Sequence, residues 1–221
     1  MEEYLHMIKE NPLFAGMGER EIEELCHCIG WKIREYEKNE YLMSAGDARG
    51  RTGIVVRGSV NILKEDFWGN RMIIGKMEQG EMFGEAFALS KISVLPVSVL
   101  AAEDTSVLLI DPEKLMNPCQ PPCGCHSKAM TNMIRLLAGK NVMLTAKIGH
   151  VTRRTTREKL LSYLSEQAVR EKSSTFTIPY NRQELADFLS VDRSAMSSEL
   201  GRMREEGIIK FRKNEFQLLN R

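Results

Sequence analysis

The spacing of apolar residues changes along the chain, and each change predicts a different element. From Glu19 to Ile29 the apolar positions Ile22, Leu25 and Ile29 recur at helical spacing, and Pro12, Gly16 and Gly18 break the stretch before them, so residues 1–30 read as short helices. Over 31–111 the pattern becomes short β-rich runs, Ile54–Val56, Val60–Leu63, Met72–Ile74 and Ser106–Ile110. Glycines at 46, 50, 53, 58, 69, 75 and 80 cut between them. Many short strands with regular turn signals predict a sandwich, roll or barrel, and Trp68-Gly69-Asn70 reads as a hairpin turn. Pro112, Pro118, Pro121, Pro122 and Gly124 then mark residues 112–126 as a connector.

A helix with a narrow seam follows. Met130, Ile134, Leu137, Asn141, Leu144, Ile148 and Val151 alternate spacings of four and three. This places Ile134, Asn141 and Ile148 at heptad a and the other four at d. A two-position stripe is narrower than the core face of an ordinary helix, and a single Asn at a favours a parallel pair. Pairing with a second copy is therefore expected; an amphipathic helix packed on its own domain is the alternative.

The last third reads as helices and strands with clear caps. Thr155-Thr156-Arg157-Glu158 is a capping box for a helix to about Ala168. A strand at Thr175–Ile178 precedes a second cap, Asn181 with Glu184, for a short helix ending near Leu189. Asp192 caps a third helix that Gly207 ends, and Ile208–Phe211 with Glu215–Leu219 forms a hairpin around Arg212-Lys213-Asn214. Two helices across a tight turn, then a basic hairpin, make a winged helix-turn-helix. Leu185, Ala186, Val191, Met196 and Leu200 supply its core. Asp192, Arg193, Ser194, Ser197, Ser198 and Glu199 occupy the stretch that reaches base edges in a major groove. Arg182 and Gln183 at a helix start, and Arg212 and Lys213 in the wing, suit phosphate. The alternative is a winged-helix protein-interaction module.

Composition at first sight opposes nucleic-acid binding: 31 Lys/Arg against 30 Asp/Glu give a net charge of +1. The distribution reverses that impression, because residues 153–221 hold fourteen basic and ten acidic residues, net +4, and the rest carries −3. A hydrophobic fraction of 43% and a charged fraction of 28% fit a globular chain of one or two domains. No apolar run approaches the ~18 residues of a membrane span, and the first residues lack the features of a secretory signal. With five unevenly spaced cysteines, a reducing cytoplasm is expected. A metal-dependent barrel enzyme would need several histidines inside the barrel, and residues 31–111 contain none.

Arg182-Gln183-Glu184-Leu185-Ala186 and Val191 to Leu200 resemble the DNA-binding signature of the CRP/FNR family of transcription regulators. Phe83-Gly84-Glu85, with Gly80 before it and Ala101 and Asp104 after, is similar to the turn-and-helix cassette of that family's β-roll. The Asp-Arg-Ser-Ala of the recognition helix resembles a Firmicutes group within the family. The resemblance implies an α+β chain: an N-terminal antiparallel β-roll (a double-stranded β-helix, like a cyclic-nucleotide-binding domain) over 1–126, a dimerisation helix over 127–152 and a winged helix-turn-helix over 153–221. It implies a homodimer on a pseudo-palindromic DNA operator, RNA polymerase as a further partner, no enzymatic activity, and an effector pocket around Phe83, Gly84, Glu85, Leu95, Pro96 and Val97. Cyclic-nucleotide-binding members grip the cyclic phosphate with an Arg-Ser pair where this chain has Leu95 and Pro96, so the effector is expected to differ from cyclic AMP. Constitutive DNA binding with a degenerate pocket is the alternative. At Ser198 the family usually has a guanine-reading Arg, so the operator should differ too.

Cys119, Cys123, Cys125 and His126 sit just before the seam helix at spacings that suit Zn²⁺ or an Fe–S cluster. A thiol redox switch and chemically idle thiols are the other readings. Cys26 and Cys28 are about 200° apart on a helix and do not face one site.

Overall fold

The computed structural model describes residues 7–48, 51–90, 92–117 and 124–219. Contacts divide the chain into two compact units, Met1–Asn70 with Ile74–Lys140, and Arg71–Ile73 with Asn141–Arg221.

In the first unit a 3₁₀ turn at Pro12–Phe14 precedes helix α1 (Glu19–Ile29), which buries Ile22, Leu25, Cys26 and Ile29. Strands β1 (Trp31–Tyr36), β2 (Tyr41–Met43), β3 (Thr52–Arg57), β4 (Val60–Glu65), β5 (Arg71–Met77) and β6 (Met82–Phe83) follow. Then come a short helix α2 (Glu85–Leu89), strands β7 (Ser98–Ala101) and β8 (Thr105–Ile110), and a short helix α3 (Pro112–Met116). Among the described residues the strands form two four-stranded sheets, in the orders β1-β8-β3-β6 and β2-β7-β4-β5. The pairings of β8 with β1 and β3, of β3 with β6, and of β7 with β2 and β4 are antiparallel.

Strand alternation builds two apolar layers. Ile54 and Val56 of β3, with Leu108 and Ile110 of β8, face the cluster under α1. Val55 and Val107, one residue out of phase, face the cluster between the sheets with Val99, Ala101 and Phe83. Gly53 is dictated by this packing, because a Cβ there would lie 2.6 Å from Val107 Cγ1.

Part of the segment 112–126, read as a connector from its prolines, is helical. Asp111 accepts from the Glu113 N–H and starts α3, and proline is well suited to such a first turn. The long helix α4 (Gly124–Val151) begins at Gly124. Near its start Asn132 is buried and donates to the carbonyls of Leu13 and Ala15, tying the 3₁₀ turn to α4.

The second unit contains α5 (Thr156–Arg170), β9 (Thr175–Thr177), α6 (Arg182–Leu189), α7 (Arg193–Glu205), β10 (Ile209–Arg212) and β11 (Glu215–Leu218). Reciprocal caps start α5 at Thr155/Glu158 and α6 at Asn181/Glu184. The three strands form a sheet of order β10-β11-β9, and the core includes Leu160, Leu164, Leu185, Leu189, Met196, Leu200 and Phe216. Among the described residues no helix is long and apolar enough to cross a membrane.

Candidate functional site

The turn between α6 and α7 is tight. Ser190 adopts the left-handed conformation (φ +52°), and the Val191 N–H donates to the Ala186 carbonyl at 3.0 Å. Lys159 of α5 donates to the Leu189 and Ser190 carbonyls at 3.2 and 3.1 Å, which closes the end of α6. Asp192 then caps α7: its carboxylate accepts from the Ala195 N–H at 2.8 Å and the Ser194 hydroxyl at 2.5 Å, and these bonds hold it below the usual carboxylate range. Met196, Leu200 and Met203 anchor α7 in the core, while Arg193, Ser194, Ser197 and Ser198 are exposed. Arg212 and Lys213 are exposed at the hairpin tip.

Three residues expected at this surface are engaged in other contacts. Glu199 is largely covered and paired with Arg157 (3.4 Å) and Arg202 (3.5 Å), so it is neutralised by side chains of its own unit and not turned outward. Arg157 also forks onto Glu206. Arg182 is half-buried with its guanidinium over the rings of Phe211 (4.9 Å) and Phe216 (5.0 Å), and burial lowers its pKa. Its charge binds the wing to α6. Gln183 remains exposed but donates to Asp187 at 2.8 Å.

On α4 none of the seven seam residues is buried in the single chain. Ile134, Asn141, Leu144 and Ile148 are exposed, and Met130, Leu137 and Val151 are half-buried. Val142 and Met143, off the seam, are exposed as well. The opposite face is occupied: Ala129 and Met133 enter the core of the first unit. Farther along, Lys147 and His150 are buried in the second unit. Lys147 donates to the Ile73 carbonyl and lies 4.2 Å from the Phe188 ring centroid, and burial pulls its ammonium down to about 8. His150 bonds Ser162 at 2.8 Å and Glu166 at 2.9 Å. Nothing in the local sequence around Lys147 or His150 signals either contact.

In the β-roll, Phe83, Glu85, Leu95 and Val97 are buried, whereas Pro96 is exposed and lines no interior. Phe83, Leu95 and Val97 pack in the cluster between the sheets. Leu95 has no free backbone group to offer a ligand, since its N–H donates to Asp47 (3.0 Å) and its carbonyl accepts from Gly46 (2.9 Å). Gly84 adopts φ +81°, and a Cβ there would stand 2.0 Å from the Arg51 carbonyl oxygen. Glu85 makes an ion pair with Lys140 of α4 at 2.6 Å, a contact between residues far apart in sequence.

Only part of the cysteine cluster lies within the described residues. Cys119 and Cys123 lie outside the described residues. Cys125 is buried in the apolar cluster with Leu25 and Ala129. His126 instead lines a cavity of about 350 Å³ with Cys28, Asp111, Glu113, Lys114 and Asn117. Among the described residues no three His, Cys, Asp or Glu side chains are placed to hold a metal. Cys26 is buried on the other side of α1 from Cys28, and burial pushes its thiol up to about 11.

Residues 33–120 match the model of the cyclic nucleotide-binding domain, and residues 158–221 match the Crp-like helix-turn-helix domain. The cAMP-activated global transcriptional regulator Vfr of Pseudomonas aeruginosa is 26% identical over 193 residues, covering 84% of this chain and 86% of that one. A CooA mutant structure from Carboxydothermus hydrogenoformans superposes with a TM-score of 0.70 at 18% identity, covering 93% of this chain and 88% of that one. FixK2 from Bradyrhizobium japonicum gives a TM-score of 0.66 at 22% identity, covering 86% and 93%. A cyclic nucleotide-binding β-domain, a long helix and a Crp-like helix-turn-helix with a small wing, in that order, place this chain in the CRP/FNR family of DNA-binding transcription regulators, which are not enzymes.

Proposed function

We propose that the chain works in the cytoplasm as a homodimer that reads a pseudo-palindromic DNA operator, acts on RNA polymerase, and answers to an effector other than cyclic AMP. The observation that carries the DNA reading is the exposed N-terminal half of α7. Arg193, Ser197 and Ser198 stand free of the core that holds Met196 and Leu200, and Arg212 and Lys213 stand exposed in the wing. Arg193 offers a fork for guanine, the serines are shorter and less selective, and the wing cations suit phosphate. The apolar seam of α4, exposed in one chain, supports pairing with a second copy. Two-fold pairing presents two recognition helices to half-sites about one helical turn apart.

Leu95 supports the exclusion of cyclic AMP. An apolar side chain buried in the cluster, with its backbone already bonded, gives a cyclic phosphate no donor, and an unpaired buried anion is costly. A second reading, DNA binding that needs no effector, is favoured by the Lys140 ammonium already bonded to the Glu85 carboxylate. Selection of bound duplexes from a random pool, followed by anisotropy titrations over a range of salt, tests the main reading. A palindromic consensus whose affinity falls linearly in log–log with salt is expected. A pool that enriches no sequence would overturn it. For the effector, calorimetry with cyclic AMP should show no binding, and a micromolar Kd would refute the exclusion.

A further inference from the structure

We propose that Lys140 takes the place of an effector against Glu85, and that this ion pair is a built-in latch holding α4 to the β-roll in the DNA-binding state. The inference rests on the reading of the chain as a DNA-binding regulator and deepens its second form.

The carboxylate is fixed from the β-roll side. Gly84 uses a left-handed turn that no side chain fits, because a Cβ would collide with the Arg51 carbonyl. The backbone that carries Glu85 therefore has one available course. The Glu85 side chain is only 3% exposed. A carboxylate at that depth needs a counter-charge, and Lys140 supplies it at 2.6 Å while also donating to the Met82 carbonyl. Lys140 thus holds two points of the same cassette, the strand before Gly84 and the helix after it.

The pair is a poor device for stability alone. The second Glu85 oxygen, Oε2, is buried with no hydrogen-bond partner among the described residues, and so is the Thr52 hydroxyl. A half-satisfied buried pair stabilises less than apolar packing of the same volume. Its position gives it another use. Lys140 is the last residue assigned to the first unit and Asn141 the first of the second on this stretch, and α4 runs unbroken through both. A constraint at Lys140 therefore acts where the helix leaves the sensor and enters the DNA-binding unit.

The test uses the full chain, unfolded and refolded to strip small molecules, on its selected operator. Stripped wild type should bind as tightly as unstripped protein. Lys140→Met strands a buried carboxylate, so a lower Tm is expected together with weaker DNA binding. The double variant Glu85→Gln with Lys140→Met removes both charges, should keep the wild-type circular dichroism spectrum, and should bind the operator about 5- to 150-fold more weakly, the usual span of a coupling between sites. Lys140→Arg keeps the charge and should retain binding. A folded double variant with wild-type affinity, a folded Lys140→Arg that does not bind, or a wild type that loses binding on stripping would each overturn the latch. Failure of wild type to select any duplex, stripped or not, would instead overturn the DNA-binding reading beneath it.

Discussion

Replacing Lys147 with methionine should stabilise the protein at neutral pH and cease to do so in alkali. In the folded chain burial lowers this ammonium from 10.5 to about 8. That difference corresponds to about 3 kcal/mol of cost for holding the charge at pH 7. The replacement itself offsets part of that gain, because losing the bond to the Ile73 carbonyl costs about 2 kcal/mol. Methionine keeps the apolar stem and removes the charge, so the net gain is about 1 kcal/mol, or roughly 2–4 °C in Tm. The sign follows from proton counting. Below about pH 8 both states hold the proton and the full cost is present. Between about 8 and 10.5 the unfolded chain holds the proton and the folded chain does not, so wild-type stability rises with pH and overtakes the deficit. Urea unfolding of both proteins at several pH values from 7 to 10 measures the difference. An advantage for methionine that stays constant across that range, or a loss above about 1 kcal/mol at pH 7, would refute the assignment of a strained buried ammonium.

Arg193→Ala should cost about 1–3 kcal/mol of operator affinity, mostly on the selected sequence, with Tm unchanged; anisotropy on specific and random duplexes separates this from loss of a phosphate contact. Ile134→Glu with Ile148→Glu places charges on the exposed seam and should shift the mass by light scattering to the 25.2 kDa single chain, whereas a retained dimer would locate the pairing elsewhere. Asp192→Ala should destabilise α7 at neutral pH. Because the folded pKa of Asp192 lies below its ordinary value, that contribution is present above the ordinary range and is lost on acidification through the lowered one. Acid titrations of wild type and variant by circular dichroism should converge at low pH.

The parts legible in the sequence are those whose causes are local. The caps at Thr155, Asn181 and Asp192 announce themselves through side chains two or three residues from the N–H groups they satisfy. The α4 seam is visible because a heptad needs only one helix to be read. What stayed hidden depends on residues distant in the chain. Arg182 looks like a phosphate ligand until the wing aromatics Phe211 and Phe216 fold under it. Glu199 looks like a base reader until Arg157, on another helix, neutralises it. The helix over 112–116 is hidden in the sequence by its own Pro112, since proline stops a helix from within but opens one at its first position. The fold order was therefore readable, while the division of charged residues between surface and scaffold was not.

That division changes what the +4 charge of the last 69 residues means. Arg157, Arg182 and Lys159 belong to the scaffold: one pairs with Glu199 and Glu206, one stacks on the wing, and one closes α6. Their charges are screened by partners and add little to the attraction for phosphate. Among the exposed cations of this unit, Arg193 stands at the start of α7 and Arg212 and Lys213 at the hairpin tip, the positions proposed to meet DNA. The salt dependence of binding should therefore report the cations on α7 and the wing and not the formal charge of the unit, because counterions are released only where a cation reaches a phosphate. Neutralising Lys213 should reduce the slope of log affinity against log salt by about one per half-site, while neutralising Arg157 should lower stability and leave the slope as it was.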